Sequence, residues 1–324
     1  MIKVEVKDPD AYKDWYLDNV FKKLSDRITK TITVYRSSWT LLIMPHLADE
    51  QTLKDILTMN PNDIEKKYRW INSYCNVVRY VDDKKNKKDT YYKEIEKELG
   101  AVNEDISHYI NYDFFDRFFK DLRAELVRRM DVKVCPYCNQ QYINYLEDVR
   151  YKGYLGDLDH IRPKSHYPLF SMSLFNLIPV CKPCNQLFKK TKTPPFYSPY
   201  ERGFDDDVSL YLKYKNVRQI VGLEEVDDLQ WWIDPACSAD EQTLFQNEIN
   251  LFKLDGVYRS HKREVQIALK KRDEYTKRFF KLLYARLPLG LLMDHRLEFG
   301  VSFDKAKYQD ELMGKALNDV VFKN

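Results

Sequence analysis

The chain has 324 residues, is 44% hydrophobic and 32% charged, and carries a net charge of +3. Its length allows a sizeable core in two or three compact units, and its composition excludes an intrinsically disordered chain. No apolar run reaches membrane-spanning length, and so small a net charge is no argument by itself for nucleic acid.

The first residues, MIKVEVKDPDAYKDW, lack the basic and apolar segments of an export signal, so a reducing, cytoplasmic setting is expected. Tyr12, Trp15, Tyr16, Val20, Phe21 and Leu24 recur at helical spacing and predict a helix over 9–30. The run TITVYRSSWTLLIM fits a strand or a buried helix start equally. Two further helices are expected, in DEQTLKDILTM and from Asn60 to Val81, the second with Asn60 as cap and Pro61 in its first turn. DDKKNKKD (82–89) reads as a polar linker and 114–130 as an amphipathic helix. From Val132 to Tyr200 short β-prone runs alternate with turns, and 193–207 reads as an exit loop. Residues 208–223 fit a β-hairpin, and the segments 238–252, 258–287 and 303–322 read as helices. The expected division is a helical region over 1–130, a small core over 131–200 and a mainly helical region over 201–324.

Four of the six cysteines form two Cys-x-x-Cys pairs, Cys135/Cys138 and Cys181/Cys184. Two such knuckles supply four thiolates, a closed tetrahedral set for structural Zn²⁺. The alternative is four buried or redox-active thiols. Cys75 and Cys237 have no sequence partner and are expected to be buried apolar residues.

Between the pairs lies LDHIRPKSHYPLFSMSLFN (158–176). Asp159-His160 has the surroundings of a strand end before a loop, with Gly153 and Gly156 ahead and Pro163 behind. A neutral histidine there can serve as general base near pH 7. Asn176 follows at a distance of 16 residues, and Asn185 comes directly after Cys184, where a helix is expected to begin. Phosphodiester hydrolysis needs a base for water and a hard cation with oxygen ligands. Asp159 and Asn185 offer one carboxylate and one amide oxygen for such a cation.

These residues, CPYC…LDHIRPKS…FNLIPVCKPCNQ…KK over about 132–192, resemble the His-Asn-His (HNH) endonuclease family. The resemblance implies a ββα-metal nuclease core set into a mostly α chain. It implies His160 as general base, Asn176 as the brace that orients it, and Asp159 and Asn185 as ligands of a catalytic Mg²⁺ or Mn²⁺. Asn185 stands where the family name has a histidine, a departure that still offers an oxygen. More narrowly, the chain resembles nuclease subunits of bacterial anti-phage systems such as the Septu type. That likeness implies a regulatory ATPase partner.

Basic residues near the motif, Lys164, Lys182, Lys189, Lys190 and Lys192, are candidate phosphate contacts; solvated side chains are the plain alternative. Residues 262–281 hold eight Lys/Arg against three acids and offer a second basic face. His166 and His261 are read as packing residues, and Trp231-Trp232 as core or interface. The expected function is a metal-dependent endonuclease acting on DNA ahead of RNA. The competing classes are an RNase and a non-catalytic zinc module that binds nucleic acid or protein. No membrane association is expected.

Overall fold

Tyr12, Tyr16, Val20, Leu24 and Ile28 recur every four residues and are all buried, which makes the first helix, α1 (Pro9–Thr31), one-sided. The computed structural model describes residues 1–31, 39–84, 90–110, 112, 120–147, 152–220, 224, 226, 228–274 and 305–322. After α1 come α2 (Thr40–Ala48), α3 (Glu50–Thr58), α4 (Pro61–Lys67), α5 (Arg69–Lys84), α6 (Thr90–Tyr109) and α7 (Lys120–Met130). Asp49 caps α3 by accepting the Thr52 N–H, and Asn60 caps α4 by accepting the Asn62 N–H, with Pro61 in the first turn as expected.

The run ending in TLLIM takes the helical one of its two expected readings, from Thr40, and residues 32–38 lie outside the described residues. Three other elements differ from expectation. Residues 60–81 form two helices, because Tyr68 is extended at φ −116°, ψ 110°, and its hydroxyl donates to Asp55. Asp82–Lys84 belong to the last turn of α5, not to a linker. The sequence reading passed over α6 altogether.

Among the described residues three separate two-stranded antiparallel ribbons follow. They are β1 (Tyr145–Glu147) with β2 (Lys152–Tyr154), β3 (Asp157–His160) with β4 (Leu177–Val180), and β5 (Val208–Lys213) with β6 (Asp228–Ile233). The expected hairpin over 208–223 is therefore wrong in its second strand. Asn216 accepts the Gln219 N–H and starts the short helix α9 (Val217–Ile220), which postpones pairing to β6. Trp231 of β6 is buried against Phe204 and Tyr258, and Trp232 on the other face is exposed.

Between β4 and β5 lies α8 (Pro183–Lys189), wound as a π-helix whose Lys190 N–H reaches the Asn185 carbonyl. The chain continues with α10 (Ala239–Leu251), α11 (Leu254–Arg259), α12 (Lys262–Glu274) and α13 (Gly314–Phe322). Of the helix expected over 303–322, the described residues 305–322 do not form one helix. Met313 has φ 55°, and its N–H is bonded to the Asn139 carbonyl, so only the last nine residues form α13. One continuous buried core runs from Met1 to Val320 and includes all four paired cysteines. None of the described helices is long and apolar enough to cross a membrane.

Candidate functional site

The Sγ atoms of Cys135, Cys138, Cys181 and Cys184 lie within 4.8 Å of one another, and all four side chains are buried. Cys138 and Cys181 are 3.8 Å apart, and zinc–sulfur bonds of 2.3 Å in a tetrahedron place sulfurs about 3.8 Å apart. The four thiols therefore fit one tetrahedral metal ion. Burial opposes charge at Cys135, but hydrogen bonds from Cys138, Cys181 and Cys184 prevail and hold its thiol well below the ordinary range. The same sulfur–sulfur hydrogen bonds push the Cys138 and Cys184 thiols up, so the bias toward thiolate falls on one member of the cluster.

Asn139, just past the first knuckle, is at φ 54°. Its side chain donates to the carbonyls of Tyr308 and Glu311 and accepts the Lys315 N–H, so the C-terminal segment clamps the knuckle. At Gly156 a Cβ would lie 2.3 Å from the Val180 carbonyl oxygen, which explains why the entry to β3 needs glycine.

The β3–β4 ribbon and α8 form a ββα unit with the second knuckle at the β4–α8 junction. The register pairs Asp159 with Ile178 and His160 with Leu177. Side chains alternate along a strand, so Asp159 and His160 leave opposite faces. His160 is buried, its Nε2 lies 2.9 Å from the Ser171 carbonyl oxygen, and its ring meets Tyr112 edge-on at 4.5 Å. A carbonyl accepts only, so Nε2 carries the proton, and in the neutral ring Nδ1 is the acceptor nitrogen.

Asn176 is fully buried. Its Oδ1 accepts the Arg162 N–H at 2.8 Å, and its Nδ2 donates to the carbonyls of Arg162 and Phe170. It closes the 161–176 loop on itself. The N-terminal helices hold the same loop from outside. The Tyr16 hydroxyl donates to Met172 O at 2.6 Å, and the Ser171 hydroxyl donates to Ile110 O. Arg162 pairs with Glu65 and reaches Asn62, while Glu65 also takes Arg79 at 2.8 Å. Burial raises the Glu65 carboxyl, but the Arg79 and Arg162 guanidiniums outweigh it and hold it below the ordinary range. His166 is bonded to Asp82 at 2.7 Å, in line with a packing role.

Asp159 departs from its expected role. Lys189 Nζ lies 3.1 Å from its Oδ1 and 3.0 Å from its Oδ2, and the Tyr137 hydroxyl donates to Oδ2 at 2.7 Å. Asp159 is 4% exposed and Lys189 0%. Asn185 turns instead to Asp157, donating at 3.1 Å, and Gln186 donates to the same carboxylate. The side chains of Asp159 and Asn185 thus serve different partners, and the Asp159 oxygens already face an ammonium. As placed, this pair does not fit the Mg²⁺ or Mn²⁺ the resemblance implies. Lys189 is equally excluded as a phosphate contact by its burial, whereas Lys164, Lys182, Lys190 and Lys192 are exposed.

Arg162, Tyr137, Tyr112 and Asn139 were missed by sequence reasoning. Arg162 and Tyr137 sit inside the quoted motifs, and an arginine or tyrosine flanked by motif residues was the only available signal. The side chains of Lys270, Lys271 and Arg272 lie outside the described residues, as do Lys277, Arg278 and Lys281 entirely. Comparison of the chain with protein-family models, with curated proteins and with solved structures finds no match.

Proposed function

We propose that the chain is a zinc-anchored phosphodiester hydrolase of the nuclease type, acting on DNA ahead of RNA, with His160 as general base. The supporting observation is the His160–Ser171 contact. It sets one tautomer and one ring orientation at the mouth of a loop braced by Asn176, as proton abstraction from water requires. Lys164 lies over the Tyr112 ring at 5.0 Å, and that ring packs on His160, so an exposed ammonium stands on the side of the base. Lys182 and Lys190 flank α8 and are exposed. Together they supply a small phosphate-binding footprint. Zn²⁺ at the four cysteines joins the first knuckle to the ββα unit.

The test is incubation of the zinc-loaded chain with labelled duplex DNA, single-stranded DNA and RNA, beside His160→Ala. The parent should cleave, and the variant should lose about 10²–10⁴ in rate. Equal cleavage by both would reject the assignment. One observation favours a second reading, a non-catalytic zinc module: Asp159 and Asn185 do not converge. Binding of nucleic acid with no cleavage of any substrate would select it. The regulatory partner implied by the resemblance would dock on the helical regions, and the consecutive Leu41 and Leu42 of α2, exposed beside Trp39, are apolar side chains such a contact would cover.

A further inference from the structure

Lys189 is among the most deeply buried large side chains of the protein. Its ammonium makes three close oxygen contacts: both oxygens of Asp159, and the carbonyl oxygen of His160 at 2.6 Å. One carboxylate and one backbone carbonyl are the kind of hard oxygen donors that bind a divalent cation. The Tyr137 hydroxyl completes the carboxylate's surroundings. Lys189 arrives there from the last position of α8, and the following residue, Lys190, is at φ 53°, so the chain turns away immediately after delivering it.

We infer that the ammonium of Lys189 is the resident cation of this site, holding Asp159 and the His160 carbonyl and so positioning the strand end that carries the base. The positioning half of this inference rests on the nuclease reading; the cation half does not. A buried ion pair contributes little stability compared with apolar residues of the same size, whereas removing one partner is costly. A pair built this deeply therefore calls for a use beyond stability. Here it ties the far end of α8 to the main chain of His160, while Cys184 ties the near end to the metal cluster. Asp159 and Lys189 are positioning residues, and Asp159 lends no affinity to added Mg²⁺ or Mn²⁺.

Mn²⁺ titration calorimetry on the full zinc-loaded chain tests this without reference to activity. Asp159→Asn should leave Mn²⁺ binding unchanged. Lys189→Ala should open the position and bind Mn²⁺ about tenfold tighter or more, and Lys189→Ala with Asp159→Asn should lose that gain. A drop of about tenfold or more on Asp159→Asn with Lys189 present would overturn the inference. So would a Lys189→Ala chain that retains zinc and gains no Mn²⁺ site. Should Lys189→Ala fail to fold, the Asp159→Asn comparison decides alone. For positioning, the charge-neutral double variant should lower kcat and leave KM unchanged; an unchanged kcat overturns that half. Loss of cleavage in His160→Ala is a separate result, so failure of the nuclease reading and failure of the Lys189 assignment are distinguishable.

Discussion

Asp159 and His160 are adjacent in β3 and work in opposite directions: the carboxylate meets Lys189 and Tyr137, and the imidazole meets Ser171 and Tyr112. The strand's alternation separates two groups that the sequence presents as a unit. Each can therefore be perturbed alone. His160→Ala removes the donor to Ser171 O and should cost about 1–3 kcal/mol of stability besides its loss of cleavage. Chemical denaturation of the variant, with zinc content measured alongside, checks the stability; an unchanged midpoint would contradict the contact.

The metal cluster predicts one zinc per chain. Cys135→Ser or Cys181→Ser should lose the metal and unfold at lower temperature, because metal binding contributes directly to folding. Cys75→Ser, at a buried thiol outside the cluster, should leave zinc content unchanged. Elemental analysis reads both outcomes, and well-folded parent protein without zinc would refute the assignment.

Asn176→Ala should be among the most damaging single changes in the 161–176 loop. It leaves the Arg162 N–H and the Arg162 carbonyl without their partner beside a fully buried position, while the Phe170 carbonyl keeps the Ser173 N–H. Each abandoned buried group costs about 1–3 kcal/mol. Asn176→Asp keeps the acceptor for Arg162 but aims a buried carboxylate at the Arg162 and Phe170 carbonyls with no counter-ion, so at neutral pH it should be at least as damaging as Ala in urea denaturation.

The Glu65–Arg162 pair gives stability a defined acid limb. Glu65 is held below its ordinary range in the fold, so its contribution is present above the unfolded value of about 4.3 and is lost as pH falls through the folded value. Between pH 5 and pH 3 the parent should lose stability more steeply than Glu65→Gln. Parallel denaturation curves for the two across that window would count against the pair. At neutral pH Glu65→Gln should cost about 1.5–3 kcal/mol, since two guanidiniums lose their carboxylate.

On duplex DNA, each of Lys164→Ala, Lys182→Ala and Lys190→Ala should reduce the log–log salt slope of binding by about 0.9. Buried Lys189 should leave the slope unchanged when replaced together with Asp159 by a neutral pair. Fluorescence anisotropy over a salt series measures both, and a slope indifferent to all three exposed lysines would show that the duplex lies elsewhere.

The local features were legible in the sequence because short-range chemistry dictates them. Two Cys-x-x-Cys pairs announced a four-thiol cluster, Asn60-Pro61 announced a helix start, and the helical spacing of Tyr12, Trp15, Tyr16, Val20, Phe21 and Leu24 announced α1. The brace at Asn176 came only from the family resemblance, although the partners it finds in the structure lie within fourteen residues. What failed was direction across the chain. Lys189 stands beside Lys190 and near Lys192 and reads as one more surface cation, yet it is fully buried because a π-helix aims it at a strand thirty residues earlier. Arg162, Asn139 and the break at Met313 likewise take their meaning from partners about 100 to 175 residues away. A sequence window determines which groups are available. Only tertiary packing decides which buried charge must neutralise which, because a desolvated charge is stable only where the fold delivers its counter-ion.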